Sequence, residues 1–311
     1  MTRSRGVRAA AEEVFVTSGA GHAVDLIARV LVPSGSVVAV EEPGYPPVVE
    51  LLRSHGFEVV GVPVDDEGIV VDALPARARL VYVTPSHQYP LGMPMSRRRR
   101  LELLDWAARV GCPIIEDDYD SEFRHTARPL EPLQRLDADG WVLYVGTFSK
   151  SLSPALRLGF LVAPLSLVPG LRALRQVIDW NPPQATQAAL ASLIGGGHLD
   201  RHLRRCRAVY AERRRLLWDG LGAVLPAGYR RLPSVAGLHI AVLSPDADPE
   251  PVMPAGVRYS RLGRCYSFGP GRNGCLLGFA GIPTGLLPDA VSAFGTVLRH
   301  PVPEFRGARR A

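Results

Sequence analysis

Lys150 is the only lysine among 311 residues; the other 35 of the 36 basic residues are arginine. It lies in the stretch GTFSKSLSPALRLGF, residues 146–160, between two apolar runs. Arginine serves any exposed cationic role but keeps its proton near neutral pH. An amine that condenses with an aldehyde to a Schiff base must be able to lose its proton. A composition that replaces every other lysine and keeps this one points to such chemistry. The opposing reading is an ordinary surface lysine in an arginine-biased sequence, and the neighbouring loops decide between the two.

Three further stretches carry polar groups of the right kind. TSGAGH, at 17–22, is a small-residue turn between an apolar run and a helical pattern. Such a turn offers backbone N–H groups and the positive end of a helix dipole to an anion, phosphate above all, although small residues also make ordinary turns. EEPGYPP, at 41–47, is a rigid turn that presents the Tyr45 ring. EDDYD, at 116–120, places four acids around Tyr119. It reads as a solvated acidic turn, as a magnesium site, or as a carboxylate held against a cationic ring. A pyridine aldehyde phosphate would use all these groups together. Lys150 would meet the aldehyde, and Gly19, Ala20, Thr147 and Arg157 the phosphate. Asp117 would keep the ring nitrogen protonated, so that the ring can take up electrons. The Tyr119 phenol would lie near the ring oxygen, and Tyr45 would stack on the ring. The lone lysine and the glycine turn favour this cofactor over a metal.

These loops need elements to position them. Apolar runs at 14–16, 36–40, 57–62, 80–84, 113–115, 141–145 and 158–162 predict strands, with helical patterns at 23–31, 48–55 and 96–110. Alternating strands and helices, each strand closing in a polar loop, predict an α/β domain with a mostly parallel sheet and a ligand at the strand ends. Gly19, Tyr45, Asp117 and Lys150 all fall at such ends. From 171 to 217 the chain reads as helical, with a break at 180–183 and a long basic helix from 199. The remainder reads as a small α+β unit, with strands expected at 237–243, 257–259 and 276–279, a last helix at 288–298 and a frayed tail from Pro301. The expected division is a large cofactor-binding domain with interdomain helices, 1–220, and a small C-terminal domain, 221–311.

Composition narrows the function classes. A chain that is 47% hydrophobic and 21% charged is not disordered. The net charge of +6 and pI near 9.4 raise nucleic acid as a partner. The arginines are scattered, however, and the one dense run, Arg97–Arg100, reads as the solvated first turn of a leucine-rich helix. No helix-turn-helix, zinc finger or aromatic single-strand platform is visible, so direct nucleic-acid binding is not expected of this chain. Cys112, Cys206, Cys265 and Cys275 show neither CxxC nor metal spacing and read as reduced thiols of a cytoplasmic protein. No signal-peptide pattern and no apolar run of membrane-spanning length is present.

The segments TSGAGHAVDL (17–26), EEPGYPPV (41–48), VTPSHQYPLGMPMS (83–96), IIEDDYDSEFR (114–124), GTFSKSLSPALRLGFLVAP (146–164) and AGLHI (236–240) together resemble a known family. It is the aminotransferase class I/II-like domain of fold-type I, pyridoxal 5'-phosphate-dependent enzymes, most closely the version found in MocR-type regulators of the GntR superfamily. The resemblance implies an aspartate aminotransferase-like fold with pyridoxal phosphate as cofactor. Lys150 matches the lysine of the Schiff base, Asp117 the acid at the pyridine nitrogen and Tyr119 the phenol at the ring oxygen, the three that would carry catalysis. Thr147, Arg157 and the amides of Gly19 and Ala20 match phosphate ligands, and Tyr45 the aromatic that covers the ring. His87, Gln88 and Tyr89 occupy the loop that touches the ring oxygen and the substrate side, with Gln88 counted among the cofactor ligands. The implied partners are an amino acid or amine and a second copy of the chain.

Departures from that pattern divide the functional expectation. The resemblance implies an N-terminal arm, and in the MocR version a winged-helix domain; the sequence shows neither, and Arg3–Gly6 reads as the tail of the arm's helix. Gly21 and His22 stand where the family's phosphate loop carries glutamine. Leu276 stands where the family places an arginine for the substrate carboxylate, a contact best made by a bidentate fork, with Arg264 and Arg272 as the substitutes. The first expectation is amino-group transfer through Lys150. The alternatives are a non-catalytic effector-sensing domain of a MocR/GntR-type regulator and an inactive fragment.

Overall fold

The computed structural model describes residues 5–125, 131–180, 183–245 and 259–299. Eight strands form the large sheet: β1 Val14–Thr17, β2 Val37–Glu42, β3 Glu58–Asp65, β4 Gly68–Ile69, β5 Ala78–Val83, β6 Ile114–Asp118, β7 Val142–Thr147 and β8 Gly159–Val162. Their order is β1-β8-β7-β6-β5-β2-β3-β4. The centre, β3-β2-β5-β6-β7, is parallel. β8 runs antiparallel to both β7 and β1. This reversal matters for the site. The start of β8 lies at the edge where β1 and β7 end, and Thr17, Gly159 and Thr147 stand abreast there.

Alternation along the strands explains the layers. Val38, Val40, Leu80, Tyr82, Ile115, Leu143 and Val145 face helices α1 Ala20–Leu31, α2 Pro46–Ser54 and α4 Val168–Ile178. Val37, Ala39, Val81, Val83, Ile114 and Val142 face α3 Arg97–Val110, whose Leu103, Trp106 and Ala107 meet them. Strands buried on both faces read as continuous apolar runs, which is why they were visible in the sequence. Gly111, in the left-handed region at φ 68°, ends α3.

Two further helices, α5 Gln184–Gly195 and α6 His198–Val224, follow the break near Trp180. α6 joins two cores. Leu199 and Leu203 pack with Phe123, Tyr144 and Phe160, whereas Leu217 and Leu221 pack against the small sheet. That sheet is antiparallel in the order β11-β12-β10-β9, from β9 Arg230–Arg231, β10 His239–Leu243, β11 Ser260–Arg261 and β12 Gly274–Gly278. Helix α7, Leu287–Arg299, covers it with Val291 and Phe294. The strand expected at 257–259 lies partly outside the described residues, and the tail from Pro301 wholly so. No helix among the described residues is long and apolar enough to cross a membrane.

Only half of the Arg97–Arg100 run is solvated: Arg97 and Arg98 are exposed. Arg99 and Arg100 are buried. Arg99 donates to the carbonyls of Gly68 and Ile69 and pairs with Asp65 at 2.7 Å. Arg100 donates to the carbonyls of Met95 and Pro85 at 3.1 and 2.6 Å. Buried guanidinium groups are tolerated because backbone carbonyls replace their water.

Candidate functional site

The site sits at the carboxyl edge of the large sheet, where β1, β2, β5, β6 and β7 end and β8 begins. Period-two alternation puts Asp117, near the end of β6, on the same face as Tyr82 of β5. The Tyr82 hydroxyl donates to Asp117 Oδ2 at 2.5 Å. Asp117 Oδ1 is buried and has no partner. Burial, with Asp118 and Asp120 adding like charge, pushes this carboxyl up to about 6, against the pull of the Tyr82 bond. An ionised carboxylate with one buried, unused oxygen is a receptor for an N–H donor, above all a cationic one.

The small-residue turn before α1 lies at the same edge. Gly19 caps α1 at φ 96°, and no side chain caps the helix, so the first amides of α1 face outward. A Cβ at Gly19 would stand 3.1 Å from Arg157 Nη2. Arg157 reaches over the turn and donates to the Ser18 carbonyl at 2.9 Å. It holds a left-handed backbone, φ 46°, at the reversal into β8. Thr147 Oγ1 accepts from the Ser149 amide at 3.1 Å and donates to Ser149 Oγ at 2.9 Å, which completes a polar rim. His22 does not face this rim as a glutamine would: its Nδ1 accepts from the Ser18 amide at 3.1 Å and braces the turn.

Lys150 follows this rim and is exposed, with no hydrogen bond or ion pair to another described residue. Its charge is felt by His239, at the start of β10. Burial first, then His87 and Lys150, bring the His239 imidazole down to about 4.

Aromatic rings close the opposite wall. Tyr45 meets Tyr89 edge-on at 5.5 Å, and Tyr89 meets Tyr119 edge-on at 6.1 Å. Asp117 and Arg157 both act on the Tyr45 phenol, which burial raises. Tyr119 bonds His87 Nδ1 at 2.8 Å. Gln88 is fully engaged, by its own loop and by the 41–47 turn. Its amide donates to the carbonyls of Pro43 and Tyr89 at 2.8 and 2.7 Å, and its carbonyl accepts from the Leu91 amide at 3.1 Å. That arrangement makes it a brace of the loop that carries Tyr89.

The acidic run disperses. Glu116 caps the turn at 133–136 through the amides of Leu133 and Gln134, Asp117 takes Tyr82, Asp118 takes Ser121 and Tyr144, and Asp120 takes His87. Among the described residues no cluster of three His, Cys, Asp or Glu side chains could hold a metal ion.

Sequence reasoning missed several supports. Arg5, read as a helix tail, is buried beneath the site. It binds Glu122 at 2.7 Å, the Asp118 carbonyl at 2.8 Å and the Thr147 carbonyl at 3.0 Å, tying the ends of β6 and β7 together. Glu41 is buried under Thr84, accepting from its amide and hydroxyl at 3.1 and 2.6 Å, with Oε1 unpartnered; burial pushes its carboxyl up to about 7. Tyr82 carried one signal, a phenol inside the apolar run 80–83. Leu276 is buried with Leu91, Ala241, Leu243, Leu262 and Cys265 in an apolar patch. Arg264 and Arg272 are both exposed.

This geometry has known counterparts. The probable rhizopine catabolism regulatory protein MocR of Rhizobium meliloti is 39% identical over 306 residues, covering 93% of this chain and 60% of that protein. Aromatic-amino-acid aminotransferase 1 of Thermococcus litoralis is 30% identical over 244 residues, 75% of this chain and 58% of that enzyme. The chain thus spans about 60% of the length of these curated relatives. Among solved structures, the α-aminoadipate aminotransferase of Thermus thermophilus, complexed with N-(5'-phosphopyridoxyl)-L-leucine, superposes with a TM-score of 0.84 at 28% identity, over 96% of this chain and 79% of that one. The family model for aminotransferase class I and II matches residues 1–250, and the chain belongs to that family.

Proposed function

We propose that this chain binds pyridoxal 5'-phosphate through Lys150 and takes an amino acid or amine as its second ligand. One observation carries the reading: Asp117 Oδ1 is buried without a partner at the sheet edge that also holds the Gly19–Arg157 cradle and Lys150. The residues fit the cofactor's functional groups. When bound, pyridoxal phosphate supplies an aldehyde to an amine and a ring that takes up electrons. Arg157, Thr147 and the amides of Gly19 and Ala20 would hold the phosphate. Asp117 would accept from the ring N–H and keep that proton in place, with Tyr82 orienting the carboxylate. Tyr119 would hold a proton at the ring oxygen, and Tyr45 would exclude water from one ring face. Lys150, with no competing ion pair, would form the covalent link and, in turnover, move the substrate's α-proton.

Between turnover and sensing, Leu276 favours sensing. Its buried apolar surroundings offer a substrate carboxylate no counter-charge at that position. We therefore read the chain as an effector-binding domain of the MocR type that retains the covalent lysine. Amino-group transfer is the second reading, supported by the intact cofactor loops. The division into units 1–220 and 221–311, with the site between them, is part of this proposal, as is a cytoplasmic location. A homodimer is also part of it, supported by the exposed apolar side chains of Val177 and Trp180, 83% and 79% exposed.

Purified protein supplied with pyridoxal phosphate should show a visible absorption band that Lys150→Ala abolishes. A colourless wild type ends both readings. A panel of amino acids and amines then separates them: conversion of the bound cofactor to its amine form supports transfer, and spectral change without conversion supports sensing.

A further inference from the structure

His87 occupies an unusual position. It is buried, and it touches the cofactor side of the site with one nitrogen and the approach to the small sheet with the other. Nδ1 lies 3.0 Å from each carboxylate oxygen of Asp120 and 2.8 Å from the Tyr119 hydroxyl. Nε2 lies 2.9 Å from Ser234 Oγ, in the segment that leads into β10.

Hydrogen-bond accounting fixes the protons. Ser234 Oγ also contacts the carbonyl of Ala236, which can only accept, so the single hydroxyl proton goes there. Nε2 must then donate to Ser234. On the other side, an ionised Asp120 can only accept, so Nδ1 must carry hydrogen too. The cations nearby are Arg214, which donates to the Ser234 carbonyl at 2.9 Å, and Lys150, whose charge reaches His239; the remaining titratable groups around the ring add no charge of their own. Burial holds His125 and His239 neutral, each near 4, and raises the Tyr119 phenol well above its ordinary value. Asp120 is thus the counter-charge for a ring that donates from both nitrogens. The single Nδ1–H is shared between Asp120 and the Tyr119 oxygen, 2.8 Å away, which leaves the phenol's own proton free to point into the site.

The fold makes room for this ring at one glycine. Gly237, at φ 93°, follows Ala236, and a Cβ there would fall 2.0 Å from His87 Cε1. Any larger residue would displace the imidazole, which gives the AGLHI motif a physical meaning.

We propose that His87 is a positioning residue: doubly protonated against Asp120, it orients the Tyr119 phenol through Nδ1 and couples it to the Ser234 turn through Nε2. The proposal deepens the cofactor reading and rests on it only for its second test. The first test needs no cofactor. In nitrogen-15 histidine spectra of the full chain near neutral pH, assigned with His87→Gln, both His87 ring nitrogens should carry hydrogen. Tyr119→Phe should shift Nδ1, and Ser234→Ala should shift Nε2. A His87 ring with one bare nitrogen overturns the proposal, whether or not the protein ever binds pyridoxal phosphate. The second test reads the pH midpoint of the visible band in the loaded protein. His87→Gln should move it by about half a unit or more. His87→Asn, which keeps a donor near the Nδ1 position, should restore most of it, and His87→Gln should have no further effect in a Tyr119→Phe background. Equal shifts in both backgrounds would show that His87 does not act through Tyr119. If no variant or wild type takes up colour, the cofactor reading fails and the first test alone decides this one.

Discussion

Asp117→Asn should stabilise the bare protein and weaken it as a cofactor site. The carboxyl is raised by burial and like charge from its ordinary 3.8 to about 6. That lift of roughly two units corresponds to about 3 kcal/mol of penalty on the ionised form. The sign follows from linkage. Between about pH 4 and 6 the folded state holds more protons than the unfolded one, so this group's contribution to stability falls as pH rises through that window and the full penalty stands above it. Asparagine removes the charge, keeps an oxygen for the Tyr82 hydroxyl and leaves its two amide N–H donors unpaired, which returns about 1–2 kcal/mol of cost. Urea unfolding of the cofactor-free variant at about pH 8 should therefore show a gain of about 1–2 kcal/mol, vanishing below about pH 4. A cationic ring N–H at Oδ1 relieves the same penalty in the wild type. Titration with pyridoxal phosphate should then show affinity about 100-fold weaker in the variant. Opposite signs for stability and affinity are the signature of a carboxylate held ready for a ligand. A variant that loses stability at the alkaline pH, or binds the cofactor within about threefold of wild type, would refute the reasoning.

Other outcomes follow from the same geometry. Glu41→Gln should stabilise by about 1–2 kcal/mol at about pH 8 and be near neutral at about pH 5, because burial already keeps Glu41 protonated below about 7 in the folded chain; equal effects at both pH values in urea unfolding would contradict this. Gly19→Ala sets a methyl 3.1 Å from Arg157 Nη2 on a left-handed backbone. It should weaken pyridoxal phosphate about tenfold but leave pyridoxal, which lacks the phosphate, unchanged in parallel titrations. Arg5→Met should cost about 3–5 kcal/mol in chemical unfolding, since Glu122 and the Asp118 and Thr147 carbonyls lose a buried donor; a loss below about 1 kcal/mol would mean these groups find other partners.

The ends of the strands were legible in the sequence because parallel strands bury both faces and stop abruptly in polar loops. Asp117 and the Lys150 stretch announced themselves in that way, and Gly19 by the small-residue turn that follows β1, an antiparallel edge strand. The strand order was not legible, since nothing local tells β8 to reverse between β1 and β7. That reversal is what brings Arg157 to Gly19. Long-range neutralisation was hidden for the same reason. Arg5 and Arg100 look like surface residues until groups distant in the chain close around them: Glu122 and the Asp118 and Thr147 carbonyls around Arg5, and the Pro85 carbonyl, 15 positions away, on Arg100. Glu41 and Glu42 stand side by side in the 41–47 turn, yet the Thr84 loop buries Glu41 while Glu42 caps the Ser267 and Phe268 amides. The His87 pairings depend on Ser234, 147 positions further on, and no local pattern contains them.

The central claim is that Lys150 is the covalent point of attachment for a pyridine aldehyde phosphate. Borohydride reduction of the protein loaded with pyridoxal phosphate, followed by peptide mass mapping, tests it most directly. Because Lys150 is the only lysine, its sole competitor among amines is the chain's α-amino group. A phosphopyridoxyl group on the Lys150 peptide is the predicted result; a label confined to the N-terminal peptide, or none at all, would contradict it.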